Sequence, residues 1–356
     1  MNIVYISDSY LDLSIFMSQV HTLCNYHSKQ NNIKLIALCS HRDMKLDKPN
    51  DAKYELIKIY RYPRMFIPSV NKLRALTISN KIRREFEHAD IIHCRGHVGS
   101  LFAVNLLKRF NLDKKVIADI RGAIVEEKKS SQVKLSNFYS LQSKKTEEIV
   151  FAHAYYFFFV SNNMQKYYKE KYKFKQNSAV FPTIVNEEFF YKSIKLRNEY
   201  RDKLNVKDKQ VYIYVGGADY WQNLDKIILK FNELSIKEVN KYFFIIITNE
   251  INFVKDFSIK NNIDLSDFYI GSLAYSDVCK YLNASDYGVI VRNSSVINYV
   301  ASPTKINEYL ACELKVINSI DQIGINNTFL NQEYKSTDKI INEQNEIFYA
   351  IAKAFD

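Results

Sequence analysis

Short apolar runs of strand length alternate with longer amphipathic stretches along most of this 356-residue chain. NIVYIS (2–7), IKLIALC (33–39), DIIHC (90–94), KVIADI (115–120), YYFFFV (155–160) and SAVF (178–181) read as strands, with helices over 12–29, 69–87 and 134–152 between some of them. Continuous apolar runs separated by helices predict a parallel sheet covered on both faces. The polar, irregular stretch PTIVNEEFFYKSIKLRNEY (182–200) then reads as a linker. A second alternating set follows: VYIYV (211–215), YFFIIIT (242–248), FYIG (268–271), YGVIV (287–291) and KVINS (315–319). There is no short-period repeat and no low-complexity segment. The pattern predicts an α/β chain of two Rossmann-like domains in tandem, facing across a cleft.

In open sheets of this kind ligands bind beyond the carboxyl ends of the strands. The chain has only eight glycines, so their places carry information. Gly96, Gly99 and Gly122 follow strands of the first half. Gly216 and Gly217, the sole Gly-Gly pair, stand between VYIYV and the next helix. Such a turn lets backbone approach a phosphate closely, and it equally suits a steric need with no ligand at all. No GxGxxG and no GxxxxGK[ST] occurs, which argues against a nicotinamide dinucleotide site and a P-loop.

The stretch RNSSVINYVASPTKINEYLACELKVI (292–317) poses a specific problem. Ser302 reads as a helix N-cap, Pro303 as N1, Thr304 as N2 and Lys305 as N3. A lysine there faces the positive end of the helix dipole, at a cost of about 0.3–1 kcal/mol. An anion bound by the lysine and the free N–H groups, a phosphate above all, removes that cost. Ile306, Tyr309, Leu310 and Leu314 form the stripe expected to be buried, with Glu308 off it. A carboxylate at 308 can accept two hydroxyl hydrogen bonds, as a ribose diol offers. The competing reading is a surface Lys305–Glu308 pair worth a few tenths of a kcal/mol, and the sequence favours neither.

Composition and charge narrow the class. With 47% hydrophobic residues the chain can build sizeable cores. Five scattered cysteines with no CxxC indicate a reducing compartment, with neither a disulfide framework nor a zinc site. The N-terminus reads as a strand and not as a signal peptide, and the apolar run 151–160 is too short to span a bilayer. Residues 1–190 carry 30 Lys and Arg against 18 Asp and Glu, whereas residues 191–356 carry 20 against 21. The basic excess therefore lies wholly in the first half, which points to an anionic partner there. It concentrates in 58–84, with eight basic residues and no acid, and in KYYKEKYKFK (166–175), where lysines and aromatics mix. Both suit an anionic membrane surface, and both also suit a solvated helix face.

The segment 292–317 resembles the donor-site segment of retaining GT-B glycosyltransferases of the family-4 type. The resemblance extends to YVGGADYWQNLDKII, to YIGSLAYSDVCKYLNASDYGVIV and to VFPTIVNEEFF. It covers most of 180–320 well and 1–180 more loosely. It implies a GT-B fold with an acceptor-binding domain over 1–185, a donor-binding domain over 186–340 and a C-terminal helix over 341–356 packing back on the first. It implies retaining, metal-independent transfer from a nucleotide-sugar, a UDP-sugar, to a glycan or lipid-linked glycan acceptor. The setting would be bacterial cell-surface polysaccharide synthesis, in the cytoplasm or peripherally on the inner face of its membrane. No cofactor, metal or nucleic acid is expected.

By that resemblance Glu308 binds the ribose, and the N–H groups of Thr304 and Lys305 bind the diphosphate, capped by Ser302. Arg292 and Lys305 stabilise the leaving diphosphate. Gly216 and Gly217 pass close to the donor, Ser272 and Leu273 lie beside the base, and Asn298 takes a sugar hydroxyl. Asp119 and Arg121 shape the reaction centre, with His93, Arg95 and Gly96 on the acceptor side. From the residues alone, Asp119 also fits as a partner of Arg121, and His93 and His97 as turn histidines. The chain departs from the family pattern at Val300, where many relatives carry a first glutamate. It departs again at Trp221, Gln222 and Asn223, where many carry a basic pair, and at Arg121, where many carry a histidine. Two other classes fit the composition less well. A GT-B sugar-nucleotide epimerase would turn over a UDP-sugar without acceptor. A basic nucleic-acid-binding protein would carry one of the known motifs, and none is present.

Overall fold

The structure is a computed structural model that describes residues 1–8, 15–131, 133–218, 222–324 and 334–354. Trp221 and the expected helix start at residue 12 lie outside the described residues. The chain divides into two compact units. The first comprises Met1–Ile184, Tyr299–Ser302 and Ser336–Asp356; the second comprises Val185–Asn298 and Pro303–Lys335.

In the first unit the order is β1 (Asn2–Ser7), α1 (Thr22–His27), β2 (Asn32–Cys39), β3 (Glu55–Tyr60), α2 (Pro68–Leu76), α3 (Asn80–Glu87) and β4 (Ile91–Arg95). Then come α4 (Gly96–Phe110), β5 (Val116–Ile120), α5 (Ile124–Ser130), α6 (Ser136–His153), β6 (Tyr156–Phe159), α7 (Asn162–Tyr172) and β7 (Asn177–Val180). The strands pair in parallel in the order β3-β2-β1-β4-β5-β6-β7. Side chains alternate across the sheet. Ile3 and Tyr5 pack with Leu35 and Ala37 on one face, Val4 and Ile6 with Ile36 and Leu38 on the other. Both faces are buried, which is why these strands read as unbroken apolar runs.

The second unit runs α8 (Ile194–Lys203), β8 (Gln210–Val215), α9 (Leu224–Lys237), β9 (Tyr242–Ile247), α10 (Ile251–Lys260), β10 (Phe268–Gly271), α11 (Val278–Ala284) and β11 (Tyr287–Val289). After α12 (Val296–Val300), α13 (Thr304–Ala311) and β12 (Lys315–Ile317) complete it. The sheet is again parallel, in the order β10-β9-β8-β11-β12. Val211, Ile213 and Val215 face one core, Tyr212 and Tyr214 the other. The last helix, α14 (Thr337–Lys353), belongs to the first unit and starts ahead of the expected residue 341. Its Ile340, Ile341, Phe348 and Ile351 enter the core beside Ile3 and Tyr5. Gln344 and Asn345 meet the two ring nitrogens of His27, both at 2.9 Å.

Several expectations need correction. The helix expected over 69–87 is two helices, broken at Thr77–Ser79. The stretch 182–200 does contain the passage between the units, at Ile184 and Val185, but it is not irregular throughout: Ile184, Val185 and Phe190 are buried and α8 starts at Ile194. Strand β3 was hidden in a basic segment, since an edge strand with one open side mixes Glu55 and Lys58 with its apolar residues. The aromatics of 166–175 serve the core as well as the surface. Tyr168 and Phe174 are buried, and Phe151 stacks on both Tyr168 and Tyr172.

Candidate functional site

The second unit brings most of the residues expected on the donor side to the carboxyl ends of its strands. From β8 the chain builds outward through β9 and β10, then returns to β11 on the opposite side of β8. The ends of β8 and β11, where the sheet order reverses, are the usual binding place in such sheets. Gly216 and Gly217 follow β8, and Arg292 stands just beyond β11. A Cβ at Gly216 would fall 2.7 Å from Tyr214 Oη and 2.6 Å from Gln222 Oε1, so those side-chain ends would have to give way to it. Tyr214 Oη donates to the Gly217 carbonyl at 2.6 Å. Arg292 Nη1 reaches Asn298 Oδ1 at 3.4 Å, and Asn298 Nδ2 donates to the Asn293 carbonyl at 2.9 Å. Ser272, after β10, donates to Asn249 Oδ1 at 2.7 Å, and Leu273 packs against the core.

Helix α13 starts one residue later than the sequence suggested. Thr304 is its first residue and Pro303 its N-cap, with φ −65° and ψ 122°. Ser302 is not the cap, because it is engaged with Thr183 within the first unit. The Thr183 N–H donates to Ser302 Oγ at 3.3 Å, and Thr183 Oγ1 donates to the Ser302 carbonyl at 3.2 Å. Lys305 is therefore the second helical residue and not the third. Its Nζ lies 2.7 Å from Glu308 Oε2. This pair is not the surface contact weighed above. Glu308 is 1% exposed and off the water-facing side, and its Oε1 is buried without a hydrogen-bond partner. A helix turn with no side-chain cap thus presents free N–H groups beside a half-satisfied buried carboxylate.

Tyr309 fixes that arrangement to the sheet. It is fully buried, and its Oη accepts from the Val215 N–H at 3.1 Å and donates to the Val289 carbonyl at 3.4 Å. Its ring occupies the space over Gly288, where a Cβ would come within 2.3 Å of it. Val300 stands where the family pattern noted above has a glutamate. It is fully buried in an apolar cluster of the first unit with Phe159 and Met164.

The first unit gathers its predicted residues at the ends of β1, β4 and β5. Arg95, the last residue of β4, pairs in register with Asp119 on β5. Arg121 grips Asp119 Oδ2 through Nε at 2.9 Å and Nη2 at 2.6 Å. His93 is a buried strand residue and not a turn histidine; its Nε2 stands 3.5 Å from the same oxygen. Burial alone would raise the Asp119 carboxyl, but Arg121, His93 and Arg95 together hold it at about 2. Burial lowers His93. Gly96 opens α4 with φ +68°, a conformation that needs glycine. His97 is likewise no turn histidine: it lies buried in α4, with Nε2 3.9 Å from Glu147. Tyr5, at 4.8 Å from the His93 ring, also belongs to this group. Sequence reasoning passed over it because NIVYIS is an apolar run, and took Tyr309 only as part of the buried helix stripe. Among the described residues no group of three His, Cys, Asp or Glu is placed to hold a metal.

No protein-family model and no curated protein matches the chain. Solved structures do. Sucrose-phosphate synthase from Thermosynechococcus elongatus is 13% identical, with a TM-score of 0.67 over 98% of this chain and 90% of that one. Anabaena HepE in complex with UDP and glucose is 11% identical, with a TM-score of 0.63 over 99% and 92%. WaaG, a glycosyltransferase involved in lipopolysaccharide biosynthesis, is 12% identical, with a TM-score of 0.60 over 99% and 93%. At these identities the likeness is one of fold. The chain folds as GT-B glycosyltransferases do, in two Rossmann-like domains each built on a parallel sheet.

Proposed function

We propose that this chain transfers a glycosyl group from a UDP-sugar to a glycan or lipid-linked glycan acceptor, with retention of configuration and without a metal ion. The observation that carries the reading is Glu308: a carboxylate 1% exposed, one oxygen held by Lys305 and the other unpartnered, beside an uncapped helix start. In the reading a ribose diol donates to Oε1. The diphosphate takes the N–H groups of Thr304 and Lys305 and draws the lysine charge, with Arg292 as a second cation. Charge building on the leaving diphosphate is then met by groups already in place, the main contribution such an enzyme makes. Gly216 and Gly217 bring the β8 turn close to the donor, and Ser272, Leu273 and Asn298 line the base and sugar. Likeness in fold to HepE, a protein solved with UDP and with UDP-glucose, supports the choice of nucleotide.

The test is a calorimetric titration with UDP. The parent should bind, Glu308→Gln should bind about tenfold more weakly because its amide retains one acceptor, and Glu308→Ala should lose more. Equal affinity in all three would overturn the assignment. Release of UDP from a UDP-sugar only when a glycan acceptor is present would separate transfer from epimerisation.

We also place the protein on the cytoplasmic face of an anionic membrane, in surface-polysaccharide synthesis. No described helix is long and apolar enough to cross a membrane. Within 58–84, Lys58 and Arg74 are engaged with backbone carbonyls of Met44, Leu46 and Tyr60. Lys72 stands on α2 beside Leu73 and Leu76, both more than half exposed. Co-sedimentation with anionic vesicles, lost in Lys72→Glu with Arg64→Glu, checks this; binding that ignores lipid charge refutes it.

A further inference from the structure

Arg95 is 7% exposed, yet no carboxylate forms an ion pair with it among the described residues. Its Nη1 is buried without a hydrogen-bond partner. The one acid beside it in the sheet, Asp119, is already gripped by two nitrogens of Arg121. Arg121 Nη1 and Tyr5 Oη are buried without a hydrogen-bond partner as well, while His93 Nε2 faces the acid that Arg121 already holds, at 3.5 Å. Among the described residues Asp8, after β1, is the other acid in range. Burial pushes its carboxyl up, against the pull of Arg61 and Arg95, so it offsets the arginine less than a free aspartate would. Two buried guanidinium groups thus share one committed carboxylate, at the carboxyl ends of the strands where this sheet reverses direction.

A buried guanidinium without an ion-pair partner is strongly destabilising. It becomes favourable only when an oxyanion arrives. We propose that Arg95 and Arg121, with Tyr5 as a hydroxyl partner, form a binding site for an oxyanion carried by the acceptor, a phosphate or a sugar carboxylate. This rests on the glycosyl-transfer reading only for the word acceptor; the anion site itself is independent of it. Planar forks suit either anion, and the two bare Nη1 atoms supply the donors. The site also gives the basic excess of the first half a chemical role at one point, distinct from its surface.

Calorimetric titration with inorganic phosphate, and separately with glucuronate, tests it. Both are run on protein saturated with UDP, so that phosphate cannot enter the donor site. The parent should bind one or both, and which one identifies the anion. Arg95→Gln should weaken binding about tenfold or more, the scale of one charge-assisted hydrogen bond, while its affinity for UDP stays that of the parent. Without anion, its unfolding temperature should rise, because an unpaired buried charge is gone. Arg95→Lys keeps the charge and loses the fork. It should hold phosphate within about threefold of the parent and lose more of its affinity for glucuronate. If neither anion binds the parent, or if both Arg95 variants bind as the parent does, the inference is wrong. If UDP itself fails to bind, the donor reading falls, and the same comparison on unliganded protein still decides the Arg95 site.

Discussion

Replacing Lys305 by Met should destabilise the second domain far more than replacing Glu308 by Gln, although each removes half of the same ion pair. The reason is unequal burial. The Lys305 side chain is 27% exposed and the Glu308 side chain 1%. In Glu308→Gln the ammonium turns to water, so the loss is that of a partly screened pair, about 1 kcal/mol. In Lys305→Met the carboxylate stays where it is. Among the described residues its Oε1 already lacks a partner, and Oε2 now loses Lys305. Breaking a buried pair from the side that leaves its charge stranded costs about 3–5 kcal/mol, and the partial exposure of the lysine favours the lower end. The two variants should therefore differ by about 2 kcal/mol. The double variant Lys305→Met with Glu308→Gln strands no charge and should return to within about 1 kcal/mol of the parent. Urea unfolding at neutral pH, read at equal slope for all four proteins, measures the cycle. Equal losses in the two single variants, or a double variant worse than either, would refute the reasoning. The carboxylate would then have found water or another partner.

Three further outcomes follow from the same structure. His27 is held down at about 4 by burial and by neighbouring His93, against 6.5 when free, so between those values the unfolded chain binds more protons. Stability from this group is full above pH 6.5 and is lost as pH falls to 4, by about 3 kcal/mol; acid titration of the unfolding free energy checks it, and His27→Gln should flatten that limb. Gly288→Ala drives a methyl into the Tyr309 ring and should cost about 1–3 kcal/mol with weaker UDP binding; parent-like values in both would place the ring elsewhere. Val300→Glu, which restores the acid of the family pattern, should cost about 4 kcal/mol or more in denaturation, because it buries a carboxylate among Phe159 and Met164 with no partner. Stability equal to the parent's would show that Val300 is not core.

The sheets were legible because parallel strands buried on both faces leave an unmistakable run such as YFFIII, and β9 spans those six residues. The same logic hid β3, whose open edge admits charge, and it hid α8 inside a polar stretch. At the donor-side group the residue types were readable and the geometry was not. The segment around Pro303 marked a helix start, but sequence could not tell that Ser302 is engaged with Thr183, far away in the chain, and so cannot cap it. Nor could it tell that Glu308 is buried, because helical spacing placed it off the apolar stripe. The neighbouring Tyr309, anchored at the ends of β8 and β11, is a tertiary fact of the same kind. Near Asp119 the sequence offered a local partner, Arg121, and the structure supplied that pair; the bare Arg95 beside it is a tertiary fact with no local signal.

The path of the chain between units has one more implication. Four residues, Tyr299–Ser302, belong to the first unit although the second precedes and follows them, and the last helix belongs to the first as well. Neither unit is therefore a continuous cassette. A fragment cut at 185 and 335 would display Val300 bare and leave Ser302 without Thr183. Recombination that exchanges a donor half between relatives of this architecture must carry a matching tetrapeptide, or it trades a buried valine for a solvent-exposed one. Tracts this short, wedged between donor-side residues, are where chimeras of this chain will fail first.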